Sequence, residues 1–462
     1  MRVKVDEGLP VAVAALVREE GHDVDSEFAV RRDLGGLHSP TMAKKKSPRP
    51  KRAGSAPKRP RRGSGPSAWR SAEFRYAALF AEAMVPLPGM RSAPGDLAEG
   101  MEEILRDCPD FYPALFQLGV LRAAGGRSEE ARRLLLDGAD RLAEREPVLS
   151  DDLDLTGGVS EPLQEVLCHD LAREVLERLT EHYPSDASLH DELGSVLVFL
   201  GELDEAVRRF ETAIALEPDD ARLLCNLGWG LLAAGRLDEA TAQLERSQKL
   251  NPRDPITRGN LEVARFLKRK GGRFEDVYLR PIDRKRFARL VNRAAEEGDS
   301  EELDRYVDQV NFDRLEGWKW RLCRRREPPG YQELFKSLRA FFRFVESISQ
   351  DSYTLYEDLS LLSGRFRRVM HKFLFKMADA DVEILEEIFA ALLSFYGYLT
   401  EGGLVEEDDF ADFRAEILEA QPDLVEKAER YAEVRHDPAI PEEELDCIRE
   451  ELFEGDHVWP LL

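Results

Sequence analysis

Cysteine is scarce in this chain of 462 residues, and the five present, Cys108, Cys168, Cys225, Cys323 and Cys447, lie far apart without a C-x-x-C pair or a nearby pair of histidines. That spacing excludes a disulfide framework and the usual structural zinc sites, so the thiols read as reduced core filler. Cys168 and His169 are adjacent, but neighbours on a helix point about 100° apart and share a metal poorly. Long apolar runs are also missing. The best, Phe389 to Leu399, has about half of the ~20 residues needed to cross a bilayer. The N-terminus sets Asp6 and Glu7 ahead of a short apolar patch, Val11 to Val17; this does not read as a secretory signal, and a cytoplasmic location is the expectation. Catalytic signatures are absent too: no G-x-x-x-x-G-K-[ST], no G-x-S-x-G and no H-E-x-x-H. The expectation is a protein without enzymatic activity and without a cofactor.

What is present is charge, with a formal net value of −24. One tract runs against it. Lys44, Lys45, Lys46, Arg49, Lys51, Arg52, Lys58, Arg59, Arg61 and Arg62 fall in a Pro-, Ser- and Gly-rich stretch that has no acidic residue. Such a stretch cannot recover the entropy lost on ordering, so 42–70 reads as a disordered basic linker. Ten cations give it an affinity for nucleic acid that falls steeply with salt, and a nucleic-acid-tethered adaptor is the alternative reading of the whole chain.

Upstream, VDEGLP, LVREEGHDV and RRDLGG form a strand-like start, an amphipathic stretch and a second strand-like piece. They resemble the opening of the PIN-like toxin-nuclease family, whose first strand ends in a metal-binding acid; the match falls on Asp6. The resemblance covers about 40 residues, and the further carboxylates that would hold a divalent metal have no counterpart before the linker. Residues 1–41 therefore read as a truncated PIN-like fragment, small and α/β-like, or as an extension upstream of Met42.

From about Ser71 the composition turns helical, and two segments align without a gap at a spacing of 34. Gly194 pairs with Gly228, Ala206 with Ala240, Phe210 with Leu244 and Pro218 with Pro252, and GELDEA in one matches GRLDEA in the other. The pattern resembles the tetratricopeptide repeat, which implies paired antiparallel helices stacked into a superhelical solenoid. The small residues let the helices approach; the large ones fill the gaps, each contributing roughly 1.5–3 kcal/mol on full burial. The prolines end each second helix. Weaker copies occupy 112–145 and a half-unit around Ala172, Leu176 and Pro184, with an insertion between, and Leu261 to Lys268 reads as a closing helix. The solenoid is thus expected over 71–270.

The resemblance implies a concave groove lined by the first helices, at Asp191, Ser195 and Val198 in one repeat and Cys225, Trp229 and Leu232 in the next. There a polypeptide partner would bind. The Lys, Asn and Arg set of the related clamp for chaperone C-termini is not present at those positions. Trp229 reads either as an apolar anchor for a bound peptide or as packing against the next repeat or the C-terminal region.

Beyond Gly271-Gly272 the period stops, and 271–462 reads as a separate helical domain. Helical patterns cover 284–297, 301–310, 331–348, 356–376, 381–399, 408–420, 424–434 and 441–452. The stripe Phe335, Leu338, Phe341, Phe342 and Phe344 reads as core. Acidic clusters at 386–387, 406–409 and 442–444 read as solvated faces, and Arg367, Arg368 and His371 as salt-bridging rather than a phosphate site. The fold class is all-α throughout, apart from the N-terminal fragment.

Overall fold

A computed structural model describes residues 65–84, 94–145, 159–298, 300–328, 330–349, 353–376, 382–435, 437 and 439–454. Among these there are helices and no strands. The PIN-like resemblance with Asp6, and the basic tract at 44–62, lie outside the described residues. The chain divides into two compact units, Met1–Phe274 and Glu275–Leu462.

In the first unit the helices are α1 (Pro66–Met84), α2 (Pro94–Asp107), α3 (Tyr112–Ala124), α4 (Ser128–Glu144), α5 (His169–His182), α6 (Ala187–Leu200), α7 (Leu203–Leu216), α8 (Ala221–Ala233), α9 (Leu237–Leu250) and α10 (Pro255–Lys270). Helix α1 begins inside the stretch expected to be linker. It is held there by Trp69, whose ring meets Phe111 at 4.8 Å and lies under the Arg145 guanidinium at 3.7 Å.

Each repeat is punctuated the same way. Asp186, Asp220 and Asp254, spaced by 34, cap α6, α8 and α10, accepting from Leu189, Leu223 and Thr257 main-chain N–H groups at 3.0, 3.2 and 2.9 Å. These are the orphan donors of a helix start. Gly126, Gly201 and Gly235 turn the chain between the helices of a pair at φ +72°, +79° and +73°. In the half-unit the equivalent residue is Leu167, which takes φ +57° and is fully buried; its side-chain burial offsets the roughly 1–2 kcal/mol that this backbone costs a non-glycine residue.

Gly194 shows why the signature is small at that position. A Cβ there would meet the Phe210 ring at 2.7 Å, and one at Gly230 would meet the same ring at 2.8 Å. Phe210 is fully buried, so the ring is clamped between α6 and α8. The pair Ala206 and Ala240, and Leu244, are fully buried in the same way.

The second unit opens with a 3-10 turn, Phe274–Leu279, whose first residue closes the first unit, and continues with α11 (Arg284–Glu297), α12 (Glu301–Arg325), α13 (Tyr331–Ile348), α14 (Phe366–Lys376), α15 (Val382–Glu401), α16 (Glu407–Val434) and α17 (Glu442–Phe453). Its core is aromatic: Trp318 and Trp320 are fully buried, and Trp318 packs on Phe335 and Phe395 at 5.7 and 5.6 Å. The Phe stripe of α13 lies in that core.

Three helices differ from the sequence expectation. Helix α12 runs on to Arg325 because Gly317 lets Tyr278 and Tyr398 approach its backbone, where a Cβ would collide with the Tyr398 hydroxyl. The expected helix 356–376 starts only at Phe366. Ahead of it Asn311 donates to Thr354 O at 2.7 Å and accepts from Tyr356 N at 2.9 Å, and Glu416 accepts from Gly364 N at 2.8 Å, so side chains hold the main chain of 354–364 out of an α-helix, with only a 3-10 turn at Leu359–Leu361. Conversely, 408–420 and 424–434 are one helix through Pro422. The proline is exposed, as is Leu418 at 51%, so water can meet the carbonyl that a proline leaves without an N–H.

Candidate partner-binding face

Helices α6 and α8 are the first helices of the two clearest repeats, and their caps set both in register, bringing Asp191 opposite Arg222 and Asn226. Asp191 is 2% exposed. Its two carboxylate oxygens each accept from Asn226 Nδ2 at 3.0 Å, and it pairs with the Arg222 guanidinium. Burial pushes the Asp191 carboxyl up, against the pull of Arg222 and Asn226; in turn the Asp191 charge holds Arg222 protonated more firmly than usual, despite burial. Arg222 keeps 37% of its side chain exposed, so it is the accessible tip of this network.

Glu192 lies beside it on α6. It is half-buried, and its Oε2 is shielded without a hydrogen-bond partner among the described residues. Burial, then the neighbouring Asp191, pushes its carboxyl up to about 7, with Arg222 and Ser160 offsetting part of the effect. Asp191 and Glu192 thus share the Arg222 guanidinium.

The residues expected to line an open groove are placed differently. Val198 and Leu232 are fully buried, Asp191, Cys225 and Trp229 are nearly so, and Ser195 is half-buried, donating to Asp191 O at 3.2 Å. Cys225 accepts from Asn260 Nδ2 at 3.5 Å, and burial pushes its thiol up to about 11. Trp229 is 6% exposed. Its ring packs on Phe199 and Phe210 at 5.9 and 6.5 Å, in the preceding helical pair. This corrects the reading of Trp229 as an open anchor: the ring is buried against the aromatic side chains Phe199 and Phe210. Val198, Cys225 and Leu232 are corrected likewise, as side chains between helices.

Sequence reasoning missed Arg222, Asn226 and Glu192. Spacing gives a signal for one of them, since Asp191 and Asn226 are 35 apart, one residue beyond the repeat period, which places them diagonally across adjacent first helices. In the second unit, Arg367 pairs with Asp423, and His371 is buried against Lys427 Nζ at 3.1 Å, so neither is offered to a phosphate. Among the described residues no three His, Cys, Asp or Glu side chains gather as a metal site, and no helix is long and apolar enough to cross a membrane.

Residues 192–255 match the tetratricopeptide repeat family. No curated protein matches the chain. Solved structures with similarity include YrrB, described as a TPR protein with an unusual peptide-binding site, at 16% identity over 42% of this chain and 90% of that one, TM-score 0.30. MamA is similar at 19% identity over 34% and 90%, TM-score 0.27. A thermophilic TPR protein of Thermus thermophilus is similar at 24% identity over 44% and 98%, TM-score 0.25.

Proposed function

We propose that this protein is a non-enzymatic interaction scaffold that holds a polypeptide partner on the first-helix face of its repeats. The observation that carries the reading is the Asp191, Arg222 and Asn226 network. It fixes the register of two adjacent first helices, yet leaves Arg222, Asn226 and Ser195 accessible at its edge. Apolar anchoring falls away with the burial of Trp229, so the contact is polar. The accessible charge at that edge is the Arg222 guanidinium, which makes an acidic side chain on the partner the complementary group, and rim charges of this kind set partner choice and on-rate more than affinity. Repeat stacks suit this role because stability comes from neighbouring pairs, which leaves the open faces free to vary.

A photo-crosslinking residue placed at Ser195, and separately at exposed Thr212 on α7, tests the reading in native extract. A discrete adduct from the Ser195 position that is missing from the Thr212 position is the expected result. Equal adducts from both positions, or none from either, would sink it.

A further inference from the structure

Helix α11 carries its charge in the wrong place for its own stability. Arg284, Lys285, Arg286 and Arg289 crowd its first half, against the positive end of the helix dipole, where an acidic residue would stabilise. Lys285, Arg289 and Arg293 are spaced i, i+4, i+8, about 6 Å apart along one row, and like charges at that spacing repel by roughly 0.2–0.5 kcal/mol per pair. The chain bears this cost in a protein of net charge −24.

Little in the described structure relieves it. The five cations are exposed. Arg293 pairs with Glu302 and Arg286 lies over the Tyr306 ring at 4.9 Å. The side chains of Arg284, Lys285 and Arg289 make no hydrogen bond or ion pair with the described residues; the nearest counter-charge is the capping Asp283, whose carboxylate accepts from the main-chain N–H groups of Lys285 and Arg286 at 3.1 and 3.0 Å and is held low chiefly by those bonds. Glu296 and Glu297 stand at the far end of the helix.

The opposite, apolar face is already used. Leu290 is buried with Leu303, Val307 and Val310 of α12, and Phe287, Val291 and Ala294 pack against them. The apolar side is therefore closed to a bilayer or a partner helix, and the free side presents cations with only Ala288 and Asn292 between them. Protein interfaces carry an apolar centre, which this face lacks; nucleic-acid interfaces are polar and strongly positive. Arginine, four of the five cations, also suits phosphate by its forked geometry.

We propose that the outer face of α11 binds the phosphate backbone of nucleic acid, through Lys285 and Arg289 with Arg284 and Arg286 beside them. Contacts to phosphate fix position and carry no sequence information directly. The tract at 44–62 would add a second, independent attachment.

The test uses the full chain and a fluorescein-labelled 20-nucleotide single strand of mixed sequence, followed by anisotropy across a salt series. To separate the two attachments, the ten cations of 44–62 are changed to glutamine in the background protein. Adding Lys285→Glu and Arg289→Glu should lower the slope of log affinity against log salt by about 1.4, two contacts at about 0.7 each, a loss of about 25-fold near 0.1 M salt. Lys285→Gln with Arg289→Gln should give a loss of the same order, without introduced repulsion. Both pairs leave the apolar face intact, and unchanged thermal melting checks the fold. An unchanged slope in the reversed variant overturns the proposal. So does binding of the unreversed background protein to anionic phosphatidylserine vesicles or to polyglutamate, but not to the oligonucleotide.

Discussion

The clamped ring of Phe210 gives a prediction in which two glycine substitutions of the same kind have opposite effects. Gly194 in α6 and Gly259 in α10 are both interior helical glycines, so changing either to alanine gains about 1 kcal/mol of helix propensity. At Gly259 nothing lies within 4 Å of an added Cβ, and the gain should appear in full. At Gly194 the Cβ would sit 2.7 Å from Phe210 Cε1, inside ordinary contact distance. The ring cannot retreat, because its other edge would then press on α8 at Gly230. Overpacking of this kind costs roughly 1–3 kcal/mol, which cancels or exceeds the propensity gain. The two variants should therefore differ by about 1–3 kcal/mol, propensity dropping out of the comparison. Because the chain has two compact units, a local readout is needed. Native-state hydrogen exchange should show protection falling across 187–216 in Gly194→Ala and rising across 255–270 in Gly259→Ala. Equal protection changes in both variants would refute the packing argument, since only propensity would then be acting.

Glu192 provides a pH dependence. Its folded carboxyl titrates near 7 against an ordinary 4.5, so the folded state binds the proton that the unfolded chain has already released. Its contribution to stability is therefore present below about pH 4.5 and is lost as pH rises towards 7. Glu192→Gln should be more stable than the parent at pH 8, by about 1–3 kcal/mol given its partial exposure, and the difference should close by pH 5; urea midpoints at the two values that differ by the same amount would contradict this. In the second unit, Arg314 is 1% exposed and donates to Tyr278 O at 2.5 Å and Arg280 O at 2.8 Å while pairing with Glu357. Arg314→Ala strands that carboxylate and two carbonyls and should cost about 3–5 kcal/mol, and Arg314→Lys should recover little, since one ammonium does not span three acceptors. Urea unfolding followed by tryptophan fluorescence measures it, and a loss under about 1 kcal/mol would count against the assignment.

The helical pairs were legible because their causes are local and periodic. Small residues at the crossing, a turn glycine and a terminating proline recur every 34 residues, and each acts within its own turn of chain. The capping aspartates recur on the same period, and α11 and α13 begin and end where their apolar spacing says they should. The candidate site was legible only in part. The resemblance to the repeat family implied Asp191 and Ser195 on the first-helix face but could not say that Asp191 is engaged by Arg222 and Asn226, since that contact joins different repeats.

Sequence alone thus determined that this chain stacks paired helices, because a period of small and large residues specifies which faces meet. It also determined that one basic tract, 44–62, runs against the net negative charge. Tertiary structure decided the rest. Phe199 and Phe210 drew Trp229 inward, tyrosines of other elements crowding Gly317 carried α12 onward, and side chains from afar unwound 354–364, because free energies of contact between distant segments outweigh the weak preferences of any single stretch.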